Sequence, residues 1–153
     1  MFRKENLIKK QLNEGKNVHA MWNQTASPVI AEIAVYAGWQ VILIDNEHGF
    51  ATIETTMHLI RAVENAGGQA IVRVPWNDQV YLKRILDIGA QSVMIPMIND
   101  KASAEEAVAA CRYPPQGRRG YAVPVLRASG YGTNEDYGKN ANDELLLIAQ
   151  IEH

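Results

Sequence analysis

Apolar residues in this chain alternate between short unbroken runs and longer segments in which they recur every three or four positions. Val41-Ile42-Leu43-Ile44 is the clearest run, and a β-branched stretch without alternation predicts a strand buried on both faces, as in a parallel sheet flanked by helices. The helical pattern follows it. Ile53, Met57, Ile60 and Val63 line one side of a helix expected from about Thr52 to Ala66, which Gly67-Gly68 stops.

The same unit recurs along the chain. Val18 to Trp22 predicts a first strand, and Ser27-Pro28 opens a helix with a capping serine and a first-turn proline. That helix carries Ile30, Ile33, Ala34 and Ala37 on one face and ends near Gly38, before the second strand from Gln40 to Ile44. Ala70 to Val74 forms the third strand, followed by a helix with Val80, Leu82, Ile85 and Leu86 that reaches Gly89. Ser92 to Met97 is the fourth strand; Ser103 and Glu106 have capping-box spacing for a helix that Tyr113-Pro114-Pro115 ends. From Gln116 to Asn142 no period is visible, a length that marks a functional or mobile loop. Leu145 to Ile151 is a fifth strand.

Strands alternating with helices predict a parallel sheet with right-handed crossovers, either open and doubly wound or closed as a (β/α)8 barrel. A barrel needs eight strands and typically about 250 residues, so a chain of 153 residues with five strands fits a complete open sheet better by length. The polar residues argue for the barrel. Trp22, Asp45 to His48, Arg73, and Gln150 with Glu152 stand at successive strand exits, which a barrel gathers into one ring and an open sheet spreads along a line.

Composition narrows the class. A chain 47% hydrophobic and 21% charged, with a net charge of -2, is an ordinary globular sequence without the basic signature of a nucleic-acid binder. The first sixteen residues are charged and helix-compatible, lack the apolar core of a signal peptide, and no run approaches membrane-spanning length, so a cytoplasmic protein is expected. A single cysteine excludes an internal disulfide, and Cys111 completes the apolar stripe of Ala104, Ala107 and Val108.

The chemistry concentrates after the second strand. Asp45-Asn46-Glu47-His48-Gly49 holds two carboxylates, an imidazole and a flexible joint where parallel folds place their working groups. Arg73, inside Ile71-Val72-Arg73-Val74, must find a buried anion or a wet cavity. No lysine falls inside a buried strand, where a Schiff-base amine would be activated, so carbon–carbon bond chemistry here points to a metal. Neither a G-x-G-x-x-G fingerprint after the first strand nor a Walker loop supports nucleotide binding. The arginines at 112, 118, 119 and 127 read as a solvated loop or a subunit contact.

Six blocks together resemble the HpcH/HpaI aldolases: Leu43 to His48; Val72-Arg73-Val74-Pro75 with Leu82 to Ala90; Ile95-Pro96-Met97; Arg112 to Gly120; and Gln150-Ile151-Glu152. The resemblance implies a (β/α)8 TIM barrel, here cut to about its first five strands as the N-terminal part of one barrel domain. It implies a metal-dependent class II pyruvate aldolase that cleaves 4-hydroxy-2-oxo acids into pyruvate and an aldehyde, and that assembles as a homo-oligomer, commonly a hexamer. His48 is then the base, Arg73 the stabiliser of enolate charge, Gln150 and Trp22 substrate contacts, and Glu152 a ligand of Mg²⁺ or Mn²⁺, with Co²⁺ a further candidate. Asp87 matches the residue that raises the basicity of the histidine, although by the strand map it ends a helix at the opposite end of the barrel, so either a neighbouring subunit supplies it or the helix boundary lies elsewhere. Asn46 stands where the family often has glycine and Gly49-Phe50 where Ala-Pro is frequent, changes expected to tune the aldehyde pocket. A lyase acting on a CoA thioester, or a non-catalytic half-barrel assembly module, are the alternatives on the same fold.

Overall fold

The computed structural model describes residues 5–152, so the first four residues of the charged N-terminal segment lie outside the described residues. Five parallel strands form one sheet: β1 (Ala20–Asn23), β2 (Val41–Asp45), β3 (Gln69–Arg73), β4 (Ser92–Ile95) and β5 (Leu146–Ala149). They lie side by side in chain order. This order decides between the two architectures. An open doubly wound sheet must reverse its strand order at a switch point to put helices on both faces, and no reversal occurs here.

Helices α2 (Pro28–Tyr36), α3 (Ile53–Asn65), α4 (Gln79–Asp87) and α5 (Lys101–Cys111) all pack on one side of the sheet. Their apolar stripes, with Ala31, Leu59, Ile60, Val63, Leu82, Ile85 and Cys111, meet Ile42, Ile44, Val72, Val93 and Ile95 in the main core. The alternate strand residues Val41, Leu43 and Ile71 point the other way and build a smaller cluster with Ile8. Helix α1 (Leu7–Asn13) brings Ile8 there, its backbone N–H donating to Gln69 Oε1 at 3.1 Å. The buried Asn6 amide beside it reaches the Gln91 carbonyl at 3.1 Å and Ser92 Oγ at 3.0 Å. Because Gln69 and Ser92 begin their strands, α1 covers the N-terminal end of the sheet and leaves the C-terminal end open.

Three expectations need correction. The fourth predicted helix starts at Lys101, since Asp100 caps it: the Ser103 N–H donates to Asp100 Oδ1 at 2.7 Å, which makes Ser103 the third helical residue rather than the cap. The stretch 116–142 is not structureless. It holds short 3-10 turns at Val123–Val125 and Arg127–Ser129, and α6 (Tyr137–Glu144) begins inside it; α6 buries no residue, so it has no apolar stripe to betray it. Two of its arginines are also not solvated, while Arg118 is exposed. Arg119 is buried against Asp87 at 2.7 Å, with the Tyr113 ring 4.4 Å from its guanidinium, and Arg127 meets Glu64 at 2.6 Å. Cys111 is in the core as expected, and burial pushes its thiol up to about 12.

Candidate active site

The exits of β1, β2, β3 and β5 converge on Arg73, the last residue of β3. Asp45, the last residue of β2, is its register partner on the neighbouring strand, and both side chains are buried. Arg73 donates to both Asp45 oxygens, from Nε at 3.0 Å and from Nη2 at 2.7 Å, a bidentate pair of the kind only arginine makes. Its third nitrogen, Nη1, lies 2.5 Å from Glu47 Oε2. Above the guanidinium sits the indole of Trp22, 4.7 Å from ring centre to Cζ.

Asp45 is the organising group. Oδ1 also accepts the backbone N–H of Glu47 at 3.0 Å and of His48 at 3.2 Å, while Oδ2 accepts Trp22 Nε1 at 3.0 Å and Gln24 Nε2 at 3.3 Å. Burial by itself would raise this carboxyl, but the bonds from Arg73, then Trp22, then the His48 and Glu47 amides outweigh it and hold it well below the usual carboxylate range. With both oxygens saturated, Asp45 has no capacity left for a metal or a proton. It fixes the turn that carries His48. For Arg73 the desolvation cost is likewise outweighed by Asp45, Glu47 and Glu152, so its charge is secured.

Next along the turn, the Asn46 N–H donates to the Arg73 carbonyl at 2.8 Å. Its buried side chain bonds Thr56 Oγ1 on α3 at 2.9 Å and the Tyr81 hydroxyl on α4 at 3.1 Å. The turn is thereby tied to two helices. Glu47 and His48 follow, with His48 Nε2 3.8 Å from Glu47 Oε1 and the imidazole largely open to solvent.

Gln150 and Glu152 lie just past β5 and face each other, Gln150 Nε2 donating to Glu152 Oε1 at 3.0 Å. The other Glu152 oxygen accepts the Met97 N–H at 2.9 Å, from a residue whose φ of 58° turns its amide toward the carboxylate. Gln150 Oε1 is buried without a partner. Among the described residues, no three His, Cys, Asp or Glu side chains gather closely enough to hold a metal ion alone. Glu152 and the orphaned Gln150 oxygen are nevertheless hard oxygen donors on one rim, and Mg²⁺ is commonly held by one or two carboxylates with water and substrate completing its shell. The residues present fit such an ion on one side.

The structure thus brings together Trp22, Arg73, Gln150 and Glu152, with His48 on the adjoining turn. Asp87 is apart from them. It ends α4, whose capped N-terminus at Asp78 follows β3, so it stands at the opposite end of the strands with its carboxylate taken by Arg119. Within this chain it does not reach His48. Sequence reasoning passed over Asp45 and Glu47 as the partners of Arg73, though the signal was there: a carboxylate closing a wholly apolar run, one strand away from an arginine that needs an anion.

Parallel βα units curled with every crossover helix outside, and a polar ring at the strand exits, define a barrel enzyme's working face. The comparisons agree. The HpcH/HpaI aldolase/citrate lyase family model matches residues 19–153, and the chain belongs to that family. It is 45% identical over 131 residues to the 2-dehydro-3,6-dideoxy-6-sulfogluconate aldolase of Pseudomonas putida, covering 86% of this chain and 51% of that protein. To the hydroxypyruvate/pyruvate aldolase of Roseobacter denitrificans it is 38% identical over 148 residues, covering 97% of this chain and 58% of the relative. Among solved structures, an HpcH/HpaI aldolase/citrate lyase family protein from Burkholderia cenocepacia superimposes with a TM-score of 0.89 at 31% identity, over 94% of this chain and 58% of its own. The chain spans about half the length of the curated relatives it matches.

Proposed function

We infer that this chain carries the pyruvate-handling part of an aldolase that cleaves 4-hydroxy-2-oxo acids into pyruvate and an aldehyde. The observation that carries this reading is the Arg73 guanidinium, held rigidly at the rim by Asp45 and Glu47 beside the Gln150–Glu152 pair. Two of its five N–H donors, on Nε and Nη2, bond Asp45 while Nη1 lies beside Glu47, which leaves N–H groups on the terminal nitrogens for an incoming oxyanion. A charge presented this way needs no reorganisation when negative charge develops on the substrate.

In the cleavage step the C4 hydroxyl gives its proton to His48, the base on the turn that Asp45 fixes, while the C3–C4 bond breaks and its electron pair becomes the pyruvate enolate. Arg73 stabilises that charge. Protonation at C3 then yields the methyl group of pyruvate, and the C4 fragment leaves as the aldehyde. A divalent cation, Mg²⁺ or Mn²⁺ with Co²⁺ as a further candidate, would be held by Glu152 and Gln150 Oε1 and supplies Lewis acidity toward the 2-oxo acid when bound. Trp22 walls the guanidinium from solvent.

The same reading makes the working protein a cytoplasmic homo-oligomer, which the exposed apolar stripe of Val29, Ile33 and Tyr36 on α2 supports. Among the described residues no helix is long and apolar enough to cross a membrane. The test is release of pyruvate from a 4-hydroxy-2-oxo acid in the presence of Mg²⁺ or Mn²⁺. Pyruvate formation that disappears in Arg73→Ala supports the reading, and equal formation by that variant contradicts it.

A further inference from the structure

One carboxylate on this rim touches both the base and the arginine. Glu47 Oε2 lies 2.5 Å from Arg73 Nη1, and the other oxygen, Oε1, lies 3.8 Å from His48 Nε2. The two carboxylates around Arg73 hold it differently. Asp45 accepts two aligned hydrogen bonds from the guanidinium, whereas Glu47 Oε2 is buried beside Nη1 without accepting one. Asp45 therefore fixes Arg73 in place, and Glu47 balances its charge. The backbone under Glu47 is also fixed. Its N–H and that of His48 both donate to Asp45 Oδ1, at 3.0 and 3.2 Å, and Asn46 before it is tied to Thr56 and Tyr81. On the far side, a Cβ on Gly49 would run into the Asp45 carbonyl oxygen. The part of this turn that can answer a change of charge is the Glu47 side chain, with the His48 imidazole mostly in solvent beside it.

Cleavage changes the charge at both of its contacts. One proton passes from the C4 hydroxyl to His48, which becomes an imidazolium, and the C3–C4 electron pair becomes the enolate beside Arg73. A cation and an anion appear together, so the summed charge of rim and substrate is unchanged. While His48 is neutral, Glu47 has one cation to meet and offsets part of the charge that Arg73 offers an oxyanion. Once His48 is charged, a movement of about 1 Å brings Oε1 to hydrogen-bonding distance of Nε2. Arg73 stays in the grip of Asp45 throughout.

Resting on the aldolase reading, we propose that Glu47 is a positioning residue that couples the base to the enolate. When His48 takes the substrate proton, the Glu47 carboxylate turns from Arg73 toward the imidazolium, and Nη1 is released to the enolate oxygen in the same step. Proton transfer and oxyanion binding then favour each other through one side chain, and by reciprocity an oxyanion on Arg73 favours a charged His48.

Oxalate, a planar dianion with the shape of the pyruvate enolate, serves as an unreactive probe, and calorimetry with Mg²⁺ present reads its affinity at about pH 8 and about pH 6. The other charged groups around Arg73, Asp45 from β2 and Glu152 beyond β5, are carboxylates, and over this range it is an imidazole that gains charge. Oxalate is expected to bind about five-fold more tightly at the lower pH, and Glu47→Gln should reduce that gain to less than about two-fold. His48→Gln leaves the ion pairs of Arg73 untouched and separates His48 from the other three histidines; the gain should vanish in it. An equal gain in wild type and Glu47→Gln, a gain that survives in His48→Gln, no gain in wild type, or no oxalate binding overturns the proposal. Pyruvate release from a 4-hydroxy-2-oxo acid, measured on the same samples, separates the two levels of inference. Release with an equal gain in Glu47→Gln overturns the coupling and leaves the aldolase reading standing. A coupled gain without release overturns the aldolase reading and, with it, the assignment of the coupling to cleavage.

Discussion

Asp45 and Arg73 end adjacent parallel strands in direct register, and the carboxylate grips the guanidinium through both oxygens at 3.0 and 2.7 Å. The pair joins the fold to its chemistry, because the same carboxylate also holds the indole of Trp22 and the amide of His48.

Removing the Asp45 charge leaves a buried guanidinium with Glu47 as its ion-pair contact and Glu152 farther off. Asp45→Asn is expected to lower stability by about 3 kcal/mol, measured by urea unfolding at neutral pH. The sign of the pH effect follows from the lowered carboxyl. An unfolded aspartate titrates near about 3.9, and the folded one below the usual range, so its contribution is complete above that value and is lost as pH falls through the folded pKa. The stability gap between wild type and variant should be constant from neutral pH down to about 4 and narrow only below it. A gap that already closes between pH 6 and 5, on a scale of about one unit, contradicts the assignment.

Gly49 has ordinary backbone angles, so its need for glycine is one of space. Gly49→Ala would force the β2 exit away from the Asp45 carbonyl and the Gln24 carbonyl. The expected cost is about 1–3 kcal/mol, seen as a lower Tm, with a larger loss of activity than of stability because His48 moves with the turn. An alanine variant with unchanged Tm and activity would show that the turn is not held this tightly.

Asn46 ties the turn to Thr56 and Tyr81 from a buried position. Asn46→Ala takes a partner from the Tyr81 hydroxyl and from that of Thr56, which keeps the Thr52 carbonyl, and should cost about 1–3 kcal/mol, again by urea unfolding. Thr56→Val should add little further cost in the double variant, since both act through one network.

His48→Ala is expected to slow cleavage of a 4-hydroxy-2-oxo acid by about 10² to 10⁴ while leaving stability unchanged, because the imidazole is mostly exposed. A variant that cleaves at the wild-type rate removes His48 from the mechanism.

Much of this was legible in the residues. Unbroken apolar runs such as Val41 to Ile44 marked the strands to within two residues, and Arg73 in an apolar strand announced a buried anion. Length favoured an open sheet over the barrel, and only the strand order, with every crossover helix on one side, decided otherwise. Helix α6 escaped notice because it packs no side chain into the core, and Ser103 was mistaken for a cap because a stronger acceptor, Asp100, stands three residues before it. Asp87 lies where the strand map puts it, ending α4 at the far end of the strands with Arg119 on its carboxylate.

The central claim, that the rim around Arg73 stabilises a pyruvate enolate, is tested most directly by proton exchange at the methyl group of pyruvate. With Mg²⁺ or Mn²⁺ in deuterated buffer, the NMR methyl signal should decay in the presence of the chain, and Arg73→Lys should slow that decay by about 10². A methyl signal that persists unchanged, or one that decays equally fast with the lysine variant, would contradict the account.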